Sequence, residues 1–108
     1  MSKHVGPIIF ADPTARSQLL DEGQAVTFRQ TQRTTGETHA RWERLGKAQA
    51  DVRVEEIAVV EPTKESLRPY REASGFETVE KWIDAIGELN GGVPQQGHLY
   101  RATLLGIR

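Results

Sequence analysis

Threonine and arginine side chains alternate with apolar residues in the segment GQAVTFRQTQRTTGETHARWERLGKAQADVR, residues 23–53. If Val26 and Phe28 face a core, Thr27 and Arg29 share the opposite face of the same strand. Guanidinium groups pair with phosphate oxygens, and aromatic neighbours stack on bases. The pattern therefore predicts a surface for an anionic partner, such as RNA or a nucleotide-like small molecule. The further cations assigned to this surface are Arg33, Arg41 and Arg53.

An ordinary solvated sheet face is the alternative interpretation of the same residues. Carboxylates are interleaved with the cations, and cross-strand pairs of opposite charge contribute only about 0.2–1 kcal/mol each. Residues 26–54 carry six Lys/Arg and three Asp/Glu, a net charge of +3, whereas the whole chain carries −1. This asymmetry favours an anionic partner for the segment, but it leaves both interpretations open.

The residue pattern does not support a metal site, a reactive thiol or a phosphate-binding loop. The chain has no cysteine, and His4, His39 and His98 are too scattered to form a helical ligand pair. It has neither the Gly-x-Ser-x-Gly turn of a serine nucleophile nor a glycine-rich loop that ends in Lys-Ser/Thr. We therefore predict no metal and no cofactor.

The segments around these residues predict a strand, a helix and then several strands. The short apolar run of residues 4–10 suits a first strand. Asp12, Pro13 and Gly23 are suited to be the N-cap, first-turn proline and left-handed end of a helix. Beyond Gly23, every second residue is apolar, as in a β-strand. Near residues 55–56 the apolar positions change from even to odd numbers, which predicts a β-bulge in a long curved strand.

A second helix is predicted from Ser74 to Asn90, with Ser74 and Glu77 at capping-box spacing. Residues 97–108 then have the pattern of a closing strand. The apolar face of the second helix comprises Val79, Trp82, Ile83, Ile86 and Leu89.

The element order predicts one α+β domain over residues 1–108. We expect a small curved antiparallel or mixed β-barrel with two main helices packed beside it. The start of the chain has too short an apolar run for a signal peptide, and no segment is apolar enough to span a bilayer. A cytoplasmic protein without a membrane partner is the expectation.

Four ordered segments carry a resemblance to a known family: LLDEGQAVTFR, GETHARWERLGKAQADVRVEEIAVVEP, SGFETVEKWIDAI and LYRATL. Together they resemble the ASCH domains of the PUA-like superfamily, from about Asp12 to Leu105. The resemblance implies a small β-barrel with helices beside it. It also implies that RNA or a modified nucleotide binds in a cleft between the first helix and the barrel.

One bacterial branch of that family hydrolyses acetylcytidine with a lysine, a threonine and a glutamate. Gly23, Thr27 and Arg29 match the glycine, threonine and arginine of that branch. Gln24 and Ala25 stand where its lysine would be. A threonine hydroxyl without a nearby base is a weak nucleophile, so we expect binding rather than catalysis.

The first functional hypothesis is therefore a small RNA- or nucleotide-binding module. An amidohydrolase acting on an acylated nucleoside is the alternative, with Thr27 as the nucleophile and Glu72 or Glu77 in place of the family's glutamate. A protein-interaction adaptor is the third hypothesis. The predicted ligand-binding residues are Gly23, Gln24, Thr27, Arg29, Arg33, Arg41 and Arg53.

Overall fold

A five-stranded mixed sheet dominates the computed structural model, which describes residues 5–108. The strands run in the spatial order β1-β3-β4-β5-β2, with β1 parallel to β3 and all other neighbours antiparallel. The strands are β1 (Ile8–Ile9), β2 (Gln24–Arg29), β3 (Gly36–Arg41), β4 (Ala50–Val60) and β5 (Gly97–Ile107). The helices are α1 (Pro13–Glu22), α2 (Lys64–Leu67), α3 (Arg71–Ser74) and α4 (Val79–Asn90), with a 3₁₀ turn at Arg68–Tyr70. The predicted α+β class and element order are confirmed.

The first strand is shorter than the sequence predicts. β1 contains only Ile8 and Ile9, and the predicted strand residue His4 lies outside the described residues. The backbone pairing nevertheless continues for one residue, because the Phe10 amide donates to the Arg41 carbonyl at 2.8 Å.

The sheet is curled, so that its two edge strands approach each other. At the end of β2, Arg29 Nη2 donates to the backbone oxygen of Ile9 in β1 at 2.8 Å, although the two strands are at opposite ends of the sheet order. Register shifts interrupt β4–β5 pairing at 51/52 and 56/58. The second shift lies close to the predicted bulge, and bulges bend strands in this way. The result is a half-barrel with a seam between β1 and β2.

Both faces of β2 are buried. Ala25 packs inside the half-barrel with Leu19 of α1, whereas Val26 and Phe28 pack on the outer side with Trp82 of α4. Thr27 is only 7% exposed. The predicted alternation of faces is therefore confirmed. Thr27 faces the interior of the half-barrel with Ala25 and not an open sheet surface, because the sheet curls around that side.

Helix α1 begins and ends where the sequence predicts. Asp12 Oδ1 accepts a hydrogen bond from the Thr14 amide at 2.8 Å, and Pro13 follows in the first turn. Gly23 has φ 79° and its amide donates to the Leu19 carbonyl at 2.9 Å. These caps fix the start of α1 directly after β1.

Helix α4 begins later than predicted. Its N-cap is Thr78, whose Oγ1 accepts from the Lys81 amide at 3.1 Å. The predicted capping box is wrong: Ser74 is fully buried at the end of α3 and accepts from the Phe76 amide at 3.1 Å, while Glu77 is exposed and pairs with Lys81. The apolar face is largely confirmed, since Val79, Trp82 and Ile86 are buried and Ile83 is partly buried, but Leu89 is 63% exposed.

Candidate ligand-binding site

A cleft of about 390 Å³ lies at the seam of the half-barrel. The segment from Ile9 into the first turns of α1 forms one side, the edge of β2 forms the floor, and α4 forms the other side. Its apolar lining includes Phe10, Phe28, Phe76, Trp82 and Ile86, and its polar lining includes Asp12, Thr27, Arg29, Gln30, Thr31 and Asn90. Mostly apolar clefts of this size with a few polar groups are typical of small-ligand sites.

The floor of the cleft is an unpaired strand edge. The Leu104 amide donates to the Gly23 carbonyl at 2.8 Å, so odd-numbered residues of β2 exchange hydrogen bonds with β5. Even-numbered residues turn their backbone groups the other way, and Gln18 Nε2 accordingly donates to the Gln24 carbonyl at 3.3 Å. Val26 and Phe28 therefore direct their N–H and C=O groups toward the seam.

Arg29 places a cation at the inner end of this cleft. Its Nη2 donates to the Ile9 carbonyl, its Nε donates to Thr27 Oγ1 at 3.4 Å, and its guanidinium lies 5.8 Å from the centre of the Phe10 ring. Nη1 makes no hydrogen bond with any described residue. Within residues 5–108 no carboxylate forms an ion pair with Arg29.

Burial lowers the pKa of Arg29 to about 10, with the positive charge of Arg33 adding to the shift and Tyr100 opposing it. The guanidinium is still protonated at neutral pH. A cation that is shielded from water and lacks a counterion is held at a cost in free energy, and a bound anion would reduce that cost.

A polar network lies behind Arg29, inside the half-barrel. The fully buried Tyr100 accepts from the Arg33 amide at 2.8 Å and donates to Glu56 Oε1 at 3.2 Å. The same carboxylate oxygen is 2.7 Å from His98 Nδ1. Burial raises the pKa of the Tyr100 hydroxyl. Sequence reasoning missed this network, although the i, i+2 spacing of His98 and Tyr100 was a signal that they share a strand face.

The cleft also contains residues whose predicted roles are purely structural. Asp12 is the predicted N-cap of the first helix, and Trp82 belongs to the predicted apolar face of the second. They retain those roles, since Asp12 caps α1 and the Phe76 and Trp82 rings stack with centroids 6.5 Å apart. The sequence carried no signal that α4 approaches the seam.

Gly23 and Gln24, which were predicted to bind ligand, do not line the cleft. They lie at the opposite end of β2 from Arg29. Gly23 ends α1, and the exposed Gln24 starts the strand.

Arg41 and Arg53 lie on the opposite face of the sheet from Thr27 and Arg29. Their strand neighbours Ala40, Val52 and Val54 point into the half-barrel, so the two arginines point outward. Contrary to the assignment in the sequence analysis, they therefore do not share a surface with Arg29, and β2 pairs with β5 whereas β3 pairs with β4. Arg33 lies close enough to Arg29 for its positive charge to lower the Arg29 pKa.

The described residues give Thr27 no nearby base. Its Oγ1 has Arg29 Nε as its hydrogen-bond partner, and a guanidinium does not accept protons at neutral pH. Glu72 and Glu77, the two substitutes for the family's glutamate, are exposed and do not line the cleft. The described residues therefore do not supply the proton acceptor that attack by the Thr27 hydroxyl would need.

Comparison of the chain with family models, curated proteins and solved structures gave no match. The resemblance to ASCH domains thus stays a prediction, and the fold itself is an α+β half-barrel. In the described part of the chain, no three His, Asp or Glu side chains are grouped closely enough to hold a metal ion. Nor does any helix within residues 5–108 have the length and apolar character to cross a bilayer.

Proposed function

We propose that the protein is a small binding module for a nucleotide-like ligand, free or as part of RNA, held in the cleft at the seam. The observation that carries this proposal is Arg29, a shielded cation that has no carboxylate partner among residues 5–108 and lies at the inner end of a largely apolar cleft. Anionic groups are the partners that such a guanidinium binds most strongly.

The cleft has complementary places for the parts of such a ligand. An anionic oxygen would accept from Arg29 Nη1, and the ring system would lie against the apolar wall that includes Phe76 and Ile86. Polar edges of the ring would meet the backbone groups that Val26 and Phe28 direct toward the seam. Strand edges offer one donor and one acceptor per residue, which suits the amide-like edges of nucleobases.

Titration with the four 5′-ribonucleotides tests this proposal. Arg29→Gln should weaken binding about tenfold to a hundredfold, because a charge-assisted hydrogen bond contributes about 1.5–3 kcal/mol. Arg44→Gln is the matched control: it makes the same change of charge at an exposed residue in the turn after β3 and should leave affinity unchanged. Calorimetry gives the affinity, and amide NMR shifts at residues 26–31 report the location.

Arg29 also tethers β1, so the folding of Arg29→Gln is checked by its thermal midpoint. Thr27→Val is a second variant of nearly the same shape that removes only the hydroxyl beside the guanidinium. The proposal would be contradicted if no ribonucleotide shifted the amide resonances of residues 26–31. Equal losses of affinity in the Arg29 and Arg44 variants would also contradict it.

A further inference from the structure

We infer, on the basis of the proposed function, that the ligand is a small molecule of about one nucleotide with a single anionic group, and not a nucleic-acid chain. Binding to a single-stranded chain needs several cations that follow its backbone. Within residues 5–108, the other cations predicted for this surface, Arg33, Arg41 and Arg53, are held by other partners or lie on the opposite face of the sheet from Arg29.

Arg33 is the nearest of these cations, and all its guanidinium nitrogens have backbone partners. Nη2 donates to the Gly6 carbonyl at 2.6 Å, Nη1 to the Pro7 carbonyl at 3.2 Å, and Nε to the Thr34 carbonyl at 2.9 Å. These bonds engage three of its five N–H donors and hold the guanidinium against the chain segment that leads into β1. Arg33 is therefore a structural residue in this geometry.

Arg41 and Arg53 lie on the opposite face of the sheet from Arg29 and do not line the cleft. On the outer face, Arg41 Nε donates to His39 Nε2 at 3.0 Å. Arg53 lies directly opposite Glu37 across the β3–β4 pair. These two arginines belong to the solvated sheet face that was the alternative interpretation of the sequence.

The second hollow, next to Arg33, also disfavours a polyanion. Residues 32–37 and 53–56 line it. Its carboxylates, Glu37, Glu55 and Glu56, outnumber the cations Arg33 and Arg53. A phosphodiester chain that left the cleft past Arg33 would meet net negative charge.

Asp12 limits the charge of the ligand at the other end of the cleft. Its Oδ1 accepts from the Thr14 amide, and Oδ2 makes no hydrogen bond with any described residue. The cleft thus holds one cation and one carboxylate. That pair suits a ligand with one anionic group and a separate N–H or O–H donor.

The test compares the ribonucleotide that binds most tightly with the homohexamer of the same base. The hexamer should bind within about threefold of the monomer, and Arg53→Gln should change neither affinity. The log–log salt slope for the hexamer should be about −0.7, the value for one phosphate contact on a single strand. Asp12→Asn keeps a good helix cap and should strengthen hexamer binding more than monomer binding.

A hexamer that binds more than tenfold tighter than the monomer, with a salt slope near −2 and a loss of affinity in Arg53→Gln, would overturn this inference alone. The proposed function would then stand with RNA as its partner. If neither monomer nor hexamer binds, the proposed function and this inference fail together, so the two failures are distinguishable.

Discussion

Several arginine side chains of this protein donate hydrogen bonds to backbone carbonyls. Arg16 donates to the carbonyls of Phe10 and Ala11, Arg29 donates to that of Ile9, and Arg33 donates to those of residues 6, 7 and 34. A guanidinium offers the same planar fork of donors to a carbonyl oxygen and to a phosphate oxygen. The sequence could therefore predict cations in this region but not which of them is left for a ligand.

Gly97 is a residue whose role depends on a close contact. A Cβ atom at this position would lie 2.6 Å from Phe28 Cε2 and 2.8 Å from the Arg29 carbonyl. Gly97→Ala should therefore reduce the free energy of unfolding by about 1–3 kcal/mol, the usual effect of overpacking. Urea unfolding measures this change.

Gly106→Ala is the matched control, in the same strand. A Cβ at Gly106 meets no atom within 4 Å, and its φ is not in the left-handed region. The control should change stability by less than about 0.5 kcal/mol. Equal unfolding midpoints for the two variants would contradict the packing of Phe28 on Gly97.

Helix α4 illustrates how an element can be predicted while its boundary is not. The apolar period over 79–86 identified the helix and its buried face, because that period is a property of the chain itself. The cap was misplaced because Ser74 has Glu77 at capping-box spacing, whereas Thr78 has Lys81 there. The choice of the hydroxyl that caps α4 depends on α3. That helix ends at Gly75, whose φ is 85°, and it turns Ser74 inward.

Thr78→Ala should lower the free energy of unfolding by about 1 kcal/mol, because the Lys81 amide loses its acceptor. Denaturant unfolding followed by circular dichroism measures this loss. Thr78→Ser keeps the accepting oxygen and should preserve the midpoint. A midpoint in Thr78→Ala that matches the wild type would mean that the helix begins elsewhere.

Side-chain hydrogen bonds, and not a backbone ladder between β1 and β2, join the two edges of the half-barrel. Arg29 crosses the seam to β1, and Arg33 holds the segment before β1 through the carbonyls of Gly6 and Pro7. The seam between them remains wide enough for the cleft. The same arginines thus hold the two edges of the half-barrel together.

Arg33→Gln should loosen β1 without unfolding the sheet. Glutamine is too short to reach the three carbonyls, so the free energy of unfolding should fall by about 1.5–3 kcal/mol. Hydrogen exchange at the Phe10 amide, which bonds the Arg41 carbonyl, should be faster than in the wild type. Arg53→Gln, at an exposed residue, is the control and should leave both quantities unchanged. Exchange at Phe10 that is equally slow in both variants would show that Arg33 does not hold β1.

Local patterns in the sequence determined the α+β class, the caps of α1, the alternation of faces along β2 and the bulge in β4. These features depend on neighbours within a few residues, where hydrogen bonding and side-chain periodicity act directly. Only the tertiary structure decided that β2 pairs with β5, that the sheet curls until Arg29 meets Ile9, and that α4 reaches the seam. Such contacts join residues far apart in the chain, and their choice depends on the burial of the whole core rather than on any one segment.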